Sequence, residues 1–432
     1  MSAPPLIVPM ESSEPSPKPA GNEVAKPRLH LDFLDGVRAC AALYVVFYHG
    51  ILHTWNMAKG GEQPPNWFAL SHFFLQSGRF AVSLFIVISG FCLMLPVVRN
   101  RGVLKGGSLP FFLRRAKRIL PPYYFTIAIS LLLFFTLIGP RTGFTWATSA
   151  GASKPWLTFH GTLMQNWAPF FNPNYSQVAD LSLMDLFKAT PEKQVALGAV
   201  MGNQLDINGP LWSIAVEWQI YFFFPLLVVL WRKIGAASTV SLTLILTYAF
   251  YLKFHGMVHG WMAPHYLGLF TLGMLGANIA YGEEARWVRL REKRYWHTLA
   301  YVLWATVFLI NINPLMGLMY SYLVDLIAGP ASMCLLIAAA KPGKNRLRDL
   351  FSRPKLVFLG TFSYSIYLMH DPLLRVVLHY VLPSFAKTKV LQYYLLVSVG
   401  LVMIVGVAYV FHRLFERPFM NTKPAKRIPE SA

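Results

Sequence analysis

The chain has 432 residues, 55% of them hydrophobic and only 13% charged, with a formal net charge of +20. Soluble domains carry about 25% charged residues, so this balance argues against a water-soluble protein and for an integral membrane one. The positive surplus would suggest nucleic acid in a soluble chain; here it lies between apolar runs, which points to membrane topology and to no nucleic-acid partner.

Residues 1–30 are rich in Pro, Ser and charge and read as a disordered cytoplasmic tail. Their one apolar run, LIVPM, is too short and too Pro-broken for a signal-peptide core, so the first span is expected to act as an uncleaved anchor. Residues 31–418 read as one all-α transmembrane domain, and 419–432 as a basic cytoplasmic tail. About ten membrane-spanning helices are predicted, near 33–53, 79–98, 118–138, 208–230, 236–254, 263–281, 298–312, 317–340, 356–381 and 390–413. Alternate connections (1–30, 99–118, 231–235, 282–297, 341–355 and 413–432) hold 28 of the 39 lysines and arginines. The positive-inside rule then places both termini in the cytoplasm of a multi-pass protein, with a cell (inner) membrane expected.

The long extracytoplasmic loop, 139–207, includes WLTFHGTLMQNWAPFFNPNYSQ. Its aromatic content suits an interfacial lid over the outer mouth of the bundle, and a mobile loop is the plainer alternative. No internal repeat is visible, which gives no support to the inverted symmetry of many transporters. Cys40, Cys92 and Cys334 all fall in predicted spans without metal-ligand spacing. They read as packing residues, and neither a metal site nor a disulfide is expected.

Four stretches carry polar groups where hydrocarbon makes them expensive, and such groups are functional candidates by default. The first span, LDFLDGVRACAALYVVFYHGIL, contains Asp35, Arg38 and His49. Arg38 and His49 are eleven residues apart, about 16 Å along a helix and within about 20° of one another around it. Arg38 alone would suit a snorkelling anchor, and a lone membrane histidine an interhelical hydrogen bond. Sharing one face, they suggest a catalytic pair, with His49 as general base toward a hydroxyl.

In FFLRRAKRILPPYY, the residues Arg114, Arg115, Lys117 and Arg118 crowd the start of the third span. Contacts with acidic headgroups would explain them, as would recognition of a phosphorylated ligand by bidentate arginines. In NGPLWSIAVEWQIYFFFPLL, Glu217 lies near mid-bilayer, flanked by Trp212, Ser213 and Tyr221. It is expected to be protonated, to line water, or to pair with a cation such as Arg38 or Arg79. In GTFSYSIYLMHDPLLRVVLHY, the residues Ser363, Tyr367 and His370 share a face, and Asp371 and Arg375 are spaced for a structural i,i+4 ion pair. Hydroxyls of this kind also simply join helices. Arg79 stands at the outer end of the second span, where Ser89 and Gly90 are best explained by close helix packing. A Gly-rich phosphate loop, a dinucleotide fingerprint and a Gly-x-Ser-x-Gly elbow are all missing, which counts against ATP-driven transport and serine hydrolysis.

These stretches, with LFIVISGFCL and the closing FERP, resemble the membrane acyltransferase family 3, whose members O-acetylate cell-surface glycans. The resemblance runs from Leu31 to Pro418. The family's Arg-x10-His pattern falls on Arg38 and His49, its Arg-x-x-Arg on Arg115 and Arg118, and its Trp-Ser-x-x-x-Glu on Trp212, Ser213 and Glu217. Two departures stand out. Trp218 occupies the place of a frequent second acidic residue, and Phe80 that of a common glycine. The soluble esterase-like extension of some members is also missing after Pro418, so the membrane domain is expected to act alone or with a separate partner.

The resemblance implies acyl-CoA, most often acetyl-CoA, as a co-substrate with no bound cofactor, and a glycan or lipid-linked sugar as acceptor. Arg115 and Arg118, with Arg114, would then receive the donor from the cytoplasm, and His49 would deprotonate the acceptor hydroxyl. Arg38 would orient the donor or stabilise charge, with Glu217 polarising a partner. A covalent acyl-histidine relay is the competing chemistry. A proton-coupled transporter or flippase of a glycan-type substrate is the alternative function, since an Arg/His/Glu set serves carriers too. The one-sided arginine cluster and the missing repeat favour the enzyme.

Overall fold

A backbone surrounded by hydrocarbon must satisfy its own N–H and C=O groups, which is why the long apolar runs become helices. The computed structural model describes residues 31–55, 64–75, 78–138, 154–167, 208–253, 262–310 and 321–420. Among these residues there are helices and connections and no strand. The principal helices are α1 (Asp32–Thr54), α2 (Arg79–Arg99) and α3 (Ser108–Leu133), the last running on into a π-helical turn at Phe134–Ile138. They are followed by α4 (Leu211–Ile234), α5 (Ala236–Lys253), α6 (Tyr266–Tyr281), α7 (Tyr295–Ile310) and α8 (Ser321–Ala340). The last two are α9 (Ser363–Val376) and α10 (Lys389–Phe419). Gly235, with φ +86°, is the only residue between α4 and α5, and the left-handed conformation it adopts stops one helix and starts the next.

Five of the described helices are long and apolar enough to cross a membrane: α2, α3 with its π turn, α4, Tyr322–Ala340 within α8, and α10. The expectation of about ten spans thins out for three physical reasons. The apolar helices in α5, α6 and α7 are shorter, at 10–17 residues. Helix α1 has the length, but Asp32, Asp35, Arg38, His49 and His53 dilute its hydropathy. The predicted 356–381 span is interrupted, with a short helix Pro354–Thr361 separated from α9 by Phe362.

That break has a cause in the packing. A Cβ on Gly360 would collide with the backbone carbonyl of Asp35, and one on Gly36 with that of Phe351, so α1 lies directly against this segment. The Ser363 hydroxyl donates to the Gly360 carbonyl at 3.0 Å across the break. Helix α1 is covered by the Pro354–Thr361 helix, α9 and α2, and residues all round it are buried, from Phe33 through Ala42 and Val46 to Ile51. Helix α1 thus carries Asp35, Arg38, His49 and His53 among neighbouring helices, with none of its residues fully exposed.

A second tight crossing joins α2 to α6. A Cβ on Gly90 would meet the Phe270 carbonyl and one on Gly273 the Val87 carbonyl, so the two backbones touch through reciprocal glycines. Gly90 therefore acts as the packing residue its sequence context suggests.

Of the long 139–207 connection, only residues 154–167 are described. The short helix Lys154–Gly161 and its continuation are tied to α3 and α4 by hydrogen bonds. Tyr123, midway along α3, donates its hydroxyl proton to the His160 carbonyl at 3.0 Å, and Tyr124 to that of Gly161 at 2.7 Å. The Gln165 amide donates to the Leu211 carbonyl at 2.9 Å, and Gln219 of α4 exchanges amide hydrogen bonds with Asn166 at 2.8 and 3.2 Å. The remainder of the predicted lid, the N-terminal tail and residues 421–432 of the C-terminal tail lie outside the described residues.

Candidate active site

Two polar clusters meet α1, one toward its N-terminal end and one toward its C-terminal end. At the N-terminal end, Arg38 donates from Nη1 to Asp35 Oδ1 at 2.8 Å and from Nη2 to Cys92 Sγ at 2.9 Å. Cys92, expected to be a packing residue, thus accepts a charged donor from the neighbouring helix. Glu217 of α4 sits close by and takes two hydroxyl donors on Oε1, Tyr221 at 2.5 Å and Ser89 of α2. Arg115 on α3 is half-buried over the Phe111 ring, 6.0 Å from its centroid, and lies within electrostatic range of Glu217, Tyr221, Cys92 and Arg118. Arg114 and Arg118 are exposed on the same turn. The helices thus bring together Arg38, Arg115 and Glu217, whose positions in sequence are far apart.

Of the three settings open to Glu217, pairing with Arg38 or Arg79 is the one the structure does not show. Hydroxyls hold its carboxylate instead. Arg38 is occupied by Asp35 and Cys92. Arg79 lies ten residues before Ser89 on α2, about 15 Å along the axis and therefore out of reach. Ser89, for which packing was the expectation, is one of the Glu217 donors.

At the other end of α1, His49 meets His370 of α9, with His49 Nδ1 3.3 Å from His370 Nε2 and the ring centroids 4.9 Å apart. Backbone carbonyls assign the tautomers, because a carbonyl only accepts. His49 Nδ1 is 2.9 Å from the Val45 carbonyl and His370 Nδ1 is 2.6 Å from that of Tyr367, so both δ nitrogens carry the proton. In the neutral pair, His370 Nε2 then accepts from His49 Nδ1–H. This leaves the lone pair on His49 Nε2 without a hydrogen-bond partner among the described residues. One turn further along α1, His53 Nε2 donates to Asp371 Oδ1 at 2.7 Å, and Asp371 Oδ2 lies 3.2 Å from Arg375 Nε. The Asp371–Arg375 pair has the expected i,i+4 spacing.

Tyr367 stands between the two clusters. Its hydroxyl is hydrogen-bonded to Ser213 Oγ at 2.7 Å and donates to the Pro210 carbonyl at 3.2 Å, and its ring is 5.5 Å from that of His370. Trp212 stacks on Tyr266 with centroids 6.1 Å apart. Ser363 belongs to neither cluster. Its hydroxyl donates to the Gly360 carbonyl at the helix break instead.

A third polar group was visible in sequence only as Arg79. Its Nε donates to Asp325 Oδ2 at 2.7 Å, Asp325 also accepts from Ser83, and His265 Nε2 is 3.0 Å from the same carboxylate oxygen. Asp325 and His265 are both 0% exposed, so this network joins α2, the start of α6 and α8 through a buried carboxylate. Removing one member of a buried ion pair strands the other charge. Asp325→Ala is expected to lower the unfolding free energy by about 3–5 kcal/mol, read as a lower thermal midpoint in detergent. Asp325→Asn should lose less, since it retains an acceptor for Arg79.

Among the described residues, no group of three His, Cys, Asp or Glu side chains could hold a metal ion. His53 was the clearest omission of the sequence reading, although its place four residues after His49 puts both on one helix face. Asp325 carried a readable signal too, as a single carboxylate in an apolar run.

Fold and site together define a helical membrane protein in which helix α1 presents an oriented imidazole toward one end and a guanidinium toward the other. Residues 31–413 match the family model Acyl_transf_3, described as an acyltransferase domain, and the chain belongs to that family. Proteins of Staphylococcus aureus strains COL and N315, each provisionally named an O-acetyltransferase, are 25% identical over 419 residues, covering 89% of this chain and 56% of theirs. YrhL of Bacillus subtilis strain 168, provisionally named a peptidoglycan O-acetyltransferase, is 26% identical over 359 residues, covering 79% of this chain and 48% of its own. The chain thus spans about half the length of these relatives. No solved structure matches it.

Proposed function

We propose that the protein is a membrane O-acyltransferase that moves an acyl group, acetyl in the first instance, from cytoplasmic acyl-CoA to a hydroxyl of an extracytoplasmic or lipid-linked glycan. The observation that carries this reading is the His49 imidazole, tied off at Nδ1 and open at Nε2. That is the form in which a histidine accepts a hydroxyl proton. Membership of the acyltransferase family supports the reaction class, and the peptidoglycan in the name of YrhL supports a glycan acceptor. In this reading about ten helical segments cross or enter an inner membrane, with both termini in the cytoplasm, as the distribution of lysine and arginine favours.

The chemistry balances with the residues present. The acceptor hydroxyl gives its proton to His49 Nε2 as its oxygen bonds the thioester carbonyl carbon. The C–S bond then breaks, and the leaving CoA thiolate takes the proton back from the imidazolium. Arg38 lies on the donor side of the same helix, where a guanidinium orients the donor or offsets developing charge. Arg115, with Arg114 and Arg118 beside it, offers guanidiniums suited to the phosphates of the CoA handle.

The paired substitution Arg115→Ala with Arg118→Ala should raise KM for acyl-CoA by about 10–100-fold, the loss of two charge-assisted contacts, with kcat retained. Unchanged affinity for acyl-CoA, measured by calorimetry on purified protein, would remove these arginines from the donor site. The reading as a whole is tested by incubating labelled acyl-CoA and glycan with membranes: label in the glycan supports an acyltransferase, whereas movement of unlabelled glycan supports a carrier.

A further inference from the structure

The polar groups behind His49 form an arm that the transfer step above does not use. His370 follows Tyr367 on α9 and offers His49 Nδ1 an acceptor. The next residue, Asp371, is 1% exposed, and its carboxylate is bonded to His53, one turn from His49 on α1. His53 holds one carboxylate oxygen at 2.7 Å and Arg375 lies 3.2 Å from the other. One partner comes from α1 and the other from the next turn of α9, so a hydrogen bond to His53 and an ion pair with Arg375 hold the carboxylate from two helices. Ionisable side chains around His49 thus include Tyr48 and His53 on its own helix and His370 and Asp371 on α9.

We propose that Asp371, clamped by His53 and Arg375, is the positioning carboxylate of the transfer reaction. It stabilises the imidazolium that forms on His49, while His370 fixes the tautomer that leaves Nε2 free. The reasoning is electrostatic. Proton uptake by His49 creates a positive charge among buried groups, where such a charge is costly unless an opposite one is already placed nearby. Asp371 is that charge, and His53 and Arg375 prevent it from turning away. The arm resembles a Ser-His-Asp arrangement in logic and differs in geometry. Here a second imidazole, not the carboxylate, takes the Nδ1 hydrogen bond, and the carboxylate acts through space.

This inference rests on His49 being the base, and the test separates the two claims. Wild type, His49→Ala, Asp371→Asn, Asp371→Glu and His53→Gln are purified in detergent and assayed for transfer of labelled acetyl from acetyl-CoA to a glycan acceptor. Asp371→Asn is expected to lower kcat by about 100-fold with KM for both substrates within about twofold of wild type. Asp371→Glu, which keeps the charge, should recover part of that loss, and His53→Gln should lower kcat by about tenfold. A merely structural Asp371 would instead reduce folded yield without splitting kcat from KM, and the glutamate would give no rescue. If Asp371→Asn does not yield folded protein, His53→Gln decides, since it leaves the Asp371–Arg375 pair in place; an unchanged kcat there overturns the proposal. An inactive His49→Ala beside a fully active Asp371→Asn would overturn the role of Asp371 alone. An active His49→Ala would overturn the base assignment and this inference with it.

Discussion

His49→Ala is expected to lower acyl transfer by about 10³-fold, the middle of the range for a positioned general base, while folded yield and acyl-CoA binding stay at wild-type levels. The residue is half-buried, and its ring nitrogen Nδ1 bonds only its own helix carbonyl and His370. The substitution therefore removes one shared hydrogen bond and strands no charge, so the loss of rate reports on chemistry and not on collapse of the bundle. His49→Gln offers a further check. A glutamine amide presents a hydrogen-bonding group of similar reach but takes up no proton at neutral pH, so its rate should fall with that of alanine. A glutamine variant near wild-type activity would mean that His49 holds substrate and does not move a proton.

The second large effect is on folding. Gly273→Leu should abolish recovery of monodisperse protein, because a Cβ at this position already overlaps the Val87 carbonyl of α2. Overpacking a side-chain core costs about 1–3 kcal/mol because side chains can shift. A backbone carbonyl pinned within a helix has less freedom, so the cost here should exceed that range. The reciprocal contact of Gly90 with the Phe270 carbonyl predicts the same outcome for Gly90→Leu. Gly406→Leu serves as the control. It lies on α10 with nothing within 4 Å of its added Cβ, and its yield should match wild type. Size-exclusion traces of solubilised fusions read all three. Normal recovery of the Gly273 variant would show that α2 and α6 do not cross in contact.

The helical class was legible because apolar length is written directly in the sequence, as in α2 and α4. The number of crossings was less so. Whether α9 continues the preceding segment depends on how closely α1 approaches Gly360, and no local pattern at Phe362 announces that contact. At the site, intramembrane charge pointed to Arg38, His49, Glu217 and His370, and all four lie in the two clusters on α1. Their partners were harder to read. Ser89 and Cys92 are small residues whose apolar surroundings suggest packing, and only the arrangement of α2 against α1 and α4 turns them toward Arg38 and Glu217. Asp371 was legible as half of a pair with Arg375, but the second half of its environment, His53, comes from another helix 318 residues away in sequence. Periodicity finds faces; it does not find which faces meet.

The central claim is that acyl-CoA on the arginine-rich side supplies an acyl group to a hydroxyl at the His49 end of α1. Proteoliposomes with purified protein in a single orientation test it most directly, with labelled acetyl-CoA supplied only on the Arg115 side and a glycan acceptor only on the opposite side. The account predicts ester-linked label in the glycan with wild-type protein and none with His49→Ala. Glycan that stays unlabelled, or equal labelling by His49→Ala, would contradict it.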